Sequence, residues 1–287
     1  MLLTARLQYA NTLSRALPAR LAGTESLRVH LARRFTTAPP THDGPPVTET
    51  NRAETTLKRF WKTVGVKRQQ DGFTVTLDSR PIKTPAGNTL LLPTSKQLAA
   101  SLIAFEWENQ ETVLKPHALP MTSIASRAID FMSDKNTCAE LRASLLDYLH
   151  TDTICFQNDD PPQLVELQTK YWDPLLDWAR KTFDIDLQVS SSILFSSQSE
   201  ETARKLGEIL AKMDPWELAV MERATYTTKS FIISLALIKG HLTAEQAALA
   251  SQVEVASQIQ RWGEVEDSHD VDFHDVRRQL GSAACLL

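Results

Sequence analysis

Between Glu264 and Asp275 the chain carries Glu264, Glu266, Asp267, Asp270, Asp272 and Asp275, together with His269 and His274. Carboxylates and imidazoles hold metal ions and exchange protons near neutral pH. Glu266 and His269 have the Glu-x-x-His spacing by which di-iron bundles place two ligands on one helix face. That site needs a second Glu-x-x-His and two more glutamates from other helices, and the motif occurs once in this chain. The alternative it leaves open is a metal-dependent helical-bundle enzyme using Glu266 and His269. A solvated acidic face explains the same residues without a metal.

Other residues with catalytic potential have simpler roles. Asp152 near His150, and Asp173 before Pro174, could be acid–base pairs, but Asp at these positions fits helix capping. GxxxxGK[ST], GxGxxG, HExxH and GxSxG are all absent, and nine glycines leave little for a phosphate cradle. No catalytic constellation emerges, so the chain reads as a binding protein, not an enzyme, with no cofactor.

Upstream of the acidic stretch, Thr243 and Gln246 form a capping-box start, and a helix is expected over 243–262. Leu249, Val253, Ala256, Ile259 and Gly263 fall on one side. Glu254, Gln258, Trp262 and, if the helix continues past Gly263, His269 fall on the other. A tryptophan among polar residues is a candidate interface anchor. Trp107, flanked by Glu106 and Glu108, is a second one. It lies at a helix C-terminus, where the macrodipole disfavours negative charge.

The elements that must position these residues divide into two kinds. Residues 59–92 alternate short strands with turns at Asp71-Gly72, Asp78-Ser79-Arg80-Pro81 and 85–88, an antiparallel meander. Phe73, Val75 and Leu77 alternate with threonines, the pattern of a half-buried strand. A helix over 95–109 follows, capped by Thr94 and Gln97, with Leu98, Leu102 and Phe105 inward and Ile103 as a further candidate. Another helix begins at Thr122. Helical patterns then cover 137–150, 161–182, 200–212, 215–239 and 243–262, with an extended segment at 185–195. Asp214-Pro215-Trp216-Glu217 is a helix start and Gly240 a stop. The apolar run 231–238 is too short to span a bilayer and reads as a core helix. The expected fold is α+β: a small N-terminal antiparallel β-rich domain, 57–132, followed by an all-helical C-terminal domain, 133–280.

Of the 287 residues, 42% are hydrophobic and 23% charged, an ordinary globular composition. Residues 1–34 hold six arginines and one acid, which leaves 25 basic and 34 acidic residues and a net charge of −9 on the remainder. So acidic a body disfavours nucleic acid as a partner. The Arg-rich, acid-poor start predicts a mitochondrial transit peptide over 1–35, and the Pro/Thr-rich 36–56 a disordered linker. The three cysteines are widely spaced, as befits a reducing compartment.

Several motifs occur in a recognisable order. They include Arg59-Phe60-Trp61, Leu77 to Pro85, Leu92-Pro93-Thr94, Glu106-Trp107 with Gln110, and Pro120-Met121-Thr122. Further on come Tyr148 to Thr153, Tyr171 to Leu176, Thr228-Lys229-Ser230 and Trp262 to Asp270. Over about residues 59–278 the chain resembles the mitochondrial ATP synthase assembly chaperones of the assembly factor 2 family. The resemblance implies a two-domain matrix chaperone that holds the unassembled α subunit of the catalytic head until the β subunit arrives. It implies that the functional acidic position is Glu254; a monomer without membrane insertion is expected. With the helix face, the acidic stretch and Trp107 read above, the expected client-binding residues are Glu254, Gln258, Trp262, Glu266, Asp267, His269, Asp270 and Trp107.

Overall fold

The computed structural model describes residues 58–192 and 197–287; the expected transit peptide and linker lie outside them. The chain begins with an antiparallel sheet of four strands, β1 (Val64–Arg68), β2 (Gly72–Leu77), β3 (Arg80–Pro81) and β4 (Leu91–Pro93). β2 is central. It pairs with β1 from Val64↔Leu77 to Arg68↔Phe73, and on its other edge with β3 and β4. A Cβ on Gly72 would stand 1.9 Å from the Leu92 carbonyl oxygen, so only glycine allows β2 and β4 to meet there.

All six residues of β2 are buried, not three as alternation suggested. Thr74 and Thr76 tolerate this because their hydroxyls donate to the Leu90 and Gly65 carbonyls at 3.0 and 3.3 Å. Helix α1 (Gln97–Glu108) packs on β1 and β2. Its inward face is Ala99, Ala100 and Ile103, whereas Leu98 and Phe105 are 69% and 66% exposed, contrary to expectation. The helix is apolar nearly all round, so periodicity cannot select a face, and the small alanines permit the close approach. Thr94 lies in a 3₁₀ turn without a side-chain cap bond, so its expected capping box does not form.

Helices follow: α2 (Pro120–Ser133), α3 (Lys135–His150), α4 (Pro162–Tyr171), α5 (Asp173–Phe183), α6 (Glu200–Lys212), α7 (Pro215–Thr228), α8 (Phe231–Ile238), α9 (Ala244–Ser251), α10 (Val253–Trp262) and α11 (His269–Ala284). Three expected helices are each broken in two. Lys229 adopts a left-handed conformation (φ 55°) between α7 and α8. Asp173-Pro174 begins α5 one residue after Trp172 closes α4, because Pro174 cannot donate to a continuing helix. Gln252 separates α9 from α10. Its N–H is shared between the Ala248 and Leu249 carbonyls, and its side chain reaches Asp272 and Arg277.

The capping boxes at Asp214/Glu217 and Thr243/Gln246 are both formed, as read from sequence. In α8 every residue from Phe231 to Leu237 is buried, and among the described residues no helix is long and apolar enough to cross a membrane. One hydrophobic cluster runs from Trp61 under the sheet through α2, α7 and α8 to Leu286.

Candidate functional site

Helix α10 packs chiefly on α4 and buries Val253 and Ser257. Its outer side presents Glu254, Gln258 and Trp262, one per turn and all exposed, with Trp262 at 70%. With Asn158, Pro161, Leu164, Ser257 and Arg261 they line a shallow groove of about 250 Å³. The Arg261 guanidinium lies 5.2 Å from the centre of the Trp262 ring. Among the described residues, the side chains of Glu254 and Gln258 make no hydrogen bond or ion pair, and the Trp262 indole N–H donates to nothing. The inward side agrees with the sequence reading at Val253, which is buried, but Leu249 is 36% exposed, and Ala247, Ala248, Ala250 and Ser257 are buried instead.

The helix does not continue past Gly263. Gly263 has φ 86°, which glycine adopts without strain, and its N–H closes α10 on the Ile259 carbonyl at 2.8 Å. Residues 266–268 form a turn with Asp267 at φ 60°, and α11 starts at His269. Glu266 and His269 therefore do not share a helix face. His269 and Val265 bond reciprocally: the Val265 N–H donates to His269 Nδ1 and the His269 N–H to the Val265 carbonyl, both at 3.0 Å. Among the described residues no group of three His, Cys, Asp or Glu could hold a metal ion.

The acidic stretch has local work in the fold. Asp270 and Asp272 occupy the first turn of α11, where the helix dipole favours negative charge. Asp272 accepts from Gln252 at 3.0 Å, and Asp275 pairs with Arg278. Arg277 holds both Glu245 oxygens at 2.8 Å and Gln252 at 3.0 Å, binding α11 to α9. Glu266, Asp267 and Asp270 stay exposed beside the end of α10.

Trp107 belongs to a different place. It is half-buried, packs edge-on against Trp61 with centroids 5.1 Å apart, and donates to the Thr122 hydroxyl at 3.0 Å. It lines a larger cavity, about 710 Å³, formed with α2 and α7. Its neighbour Glu106 resolves the dipole conflict of the sequence. The Glu106 carboxylate accepts from the backbone N–H groups of Met121 and Thr122 at 2.7 and 2.9 Å, and from the Thr122 hydroxyl at 2.7 Å. It thus serves the N-terminus of α2, not the C-terminus of its own helix. Burial raises its pKa, and these bonds oppose the shift. The only sequence signal for this role was an acid in a place that made no local sense.

The two suspected acid–base pairs are structural. Asp152 is fully buried and accepts from the N–H groups of Ile154 (3.2 Å) and Ile232 (2.9 Å), so it joins a 3₁₀ turn to the start of α8. Burial pushes its carboxyl up to about 6, against the hydrogen bonds. His150 Nδ1 accepts from the Gln198 N–H at 3.2 Å, and Asp173 accepts from Gln157 at 3.1 Å.

Comparison with known proteins supplies the class. The family described as ATP12 chaperone protein matches residues 58–180. The mitochondrial protein atp12 of Schizosaccharomyces pombe is 36% identical over 242 residues, covering 80% of this chain and 82% of that protein. The mitochondrial protein ATP12 of Saccharomyces cerevisiae is 30% identical over 278 residues, covering 83% and 86%. The crystal structure of Atp12 from Paracoccus denitrificans has a TM-score of 0.68 at 31% identity, covering 81% of this chain and 98% of that one. These relatives place the chain among chaperones, with the same antiparallel sheet followed by helices. The chain belongs to the ATP12 chaperone family, the ATP synthase assembly chaperones that its motifs resemble.

Proposed function

We propose that this protein is a holding chaperone of the mitochondrial matrix, imported by a transit peptide over 1–35. It binds the unassembled α subunit of the ATP synthase catalytic head and releases it when the β subunit arrives. It acts as a monomer, by contact alone, with no cofactor. The outer face of α10 is the client-binding surface, with Glu254, Gln258 and Trp262 at its centre. Glu266, Asp267, His269 and Asp270 form its rim, and Trp107 is a second contact from the larger cavity.

The observation that carries this reading is the row Glu254, Gln258, Trp262: three exposed side chains, one per turn, that bond to nothing else among the described residues. A subunit interface awaiting its partner is an exposed apolar patch that aggregates. A holder must cover it weakly enough for the partner to displace it. A shallow, mixed polar and aromatic face suits that balance better than a deep apolar pocket does. The test is light scattering of the isolated α subunit as it is diluted from denaturant. Equimolar chaperone should keep it in solution; scattering that rises equally with and without the protein would end the proposal.

A further inference from the structure

The 710 Å³ cavity is a cleft between residues 82–85, α2 and α7. Its floor is apolar, formed by the buried side chains of Ile82, Leu119, Ile124 and Ala219. Its size is that of sites that enclose a small ligand or a few residues of a peptide. Three of its five charged groups are bonded within the protein. Asp130 accepts from Thr84 (2.6 Å), Asn88 (2.9 Å) and the Ala86 N–H (3.4 Å), and Glu222 holds Arg127 through two bonds of 3.0 and 3.1 Å. The remaining two are cations on opposite walls. The Lys83 amino group makes no hydrogen bond or ion pair among the described residues, and the Arg223 guanidinium donates only to the neutral Ser123 hydroxyl at 2.9 Å. Because Asp130 is held only by neutral donors, the three cations and two acids of the lining leave a net charge of +1, in a body of net charge −9.

We propose that this cleft docks a short acidic segment of the client chain, with carboxylates at Lys83 and Arg223 and an apolar side chain on the Ile82–Ile124 floor. The inference rests on the reading of the protein as a holding chaperone and names the chemistry of the client segment that enters the cavity lined by Trp107. Carboxylates suit the two cations because neither forms an ion pair with an acid among the described residues. The apolar floor supplies the part of recognition that salt does not screen.

The test is fluorescence anisotropy of a dye-labelled heptapeptide alternating glutamate with leucine and phenylalanine, and of its lysine counterpart, titrated with the full chain. Wild type should bind the acidic peptide and not the basic one, more weakly as salt rises from about 0.05 to about 0.3 M. Lys83→Glu with Arg223→Glu should weaken binding at least about 10-fold, and Lys83→Gln with Arg223→Gln by less. Circular dichroism melting of each variant confirms that it is folded. Equal binding of both peptides would overturn the proposal, as would undiminished binding by the charge-reversed variant. Equally tight binding of a single-stranded oligonucleotide would overturn it too, by making the cleft a general anion site. No α subunit is present in this assay, so its failure leaves the light-scattering result untouched, and the converse also holds.

Discussion

Trp172 and Trp262 close two helices, α4 and α10, that pack on each other, and they do opposite things there. Trp172 is fully buried, and its indole N–H donates to the Ala250 carbonyl at 2.7 Å, holding the α4–α5 junction to α9. Trp262 is 70% exposed and its N–H has no acceptor among the described residues. The acids repeat the contrast. Glu106 and Asp152 are spent on buried helix starts, whereas Glu254 bonds to nothing among the described residues. A residue whose polar atoms are satisfied inside is accounted for by folding. A row whose polar atoms all face outward has no such account, and under the proposed function a client supplies it.

This contrast can be broken by substitution. Trp172→Ala should have the largest effect, a loss of about 3–5 kcal/mol in denaturant unfolding, since it opens a cavity and orphans the Ala250 carbonyl. A loss near zero would mean that burial does not separate the two tryptophans.

Asp152 gives an effect of pH. Its folded pKa of about 6 lies above its ordinary 3.8, so between these values the folded state binds more proton than the unfolded one. Its contribution is therefore fully present below about pH 4 and lost as pH rises through about 6, a change of about 3 kcal/mol. Subtracting the Asp152→Asn stability curve from that of wild type should expose this fall. Parallel curves across the window would show the carboxyl to be unshifted.

Glu106→Ala should cost about 2 kcal/mol, as it removes the acceptor for two backbone N–H groups of α2. Glu106→Gln, which keeps an acceptor, should recover part of it in the same melt. Trp262→Ala should shift stability by no more than about 0.5 kcal/mol, because the ring stands in solvent. A larger loss would make it a structural residue like Trp172.

Local chemistry was legible in the sequence. The Asp214 and Thr243 capping boxes, the Gly240 stop and the buried α8 were read from a few adjacent residues. What failed was chosen by distant parts of the chain. Leu98 and Phe105 face out because the alanines of α1 fit the sheet more closely. Thr74 and Thr76 are buried because carbonyls on neighbouring segments accept their hydroxyls. The breaks at Lys229 and Gln252 have neither Pro nor Gly to announce them. At the site, the spacing of Glu254, Gln258 and Trp262 was visible because it lies within one helix. The separation of Glu266 from His269 was not, since it depends on a turn that Asp267 makes at positive φ.

The most direct test of the central claim is Glu254→Lys, with α-subunit binding and thermal midpoint measured on the same preparation. The structure predicts an unchanged midpoint, within the roughly 0.5 kcal/mol expected of an exposed site, together with lost capture of the α subunit. Full capture by the variant, or its unfolding, would contradict the assignment of the α10 outer face to the client.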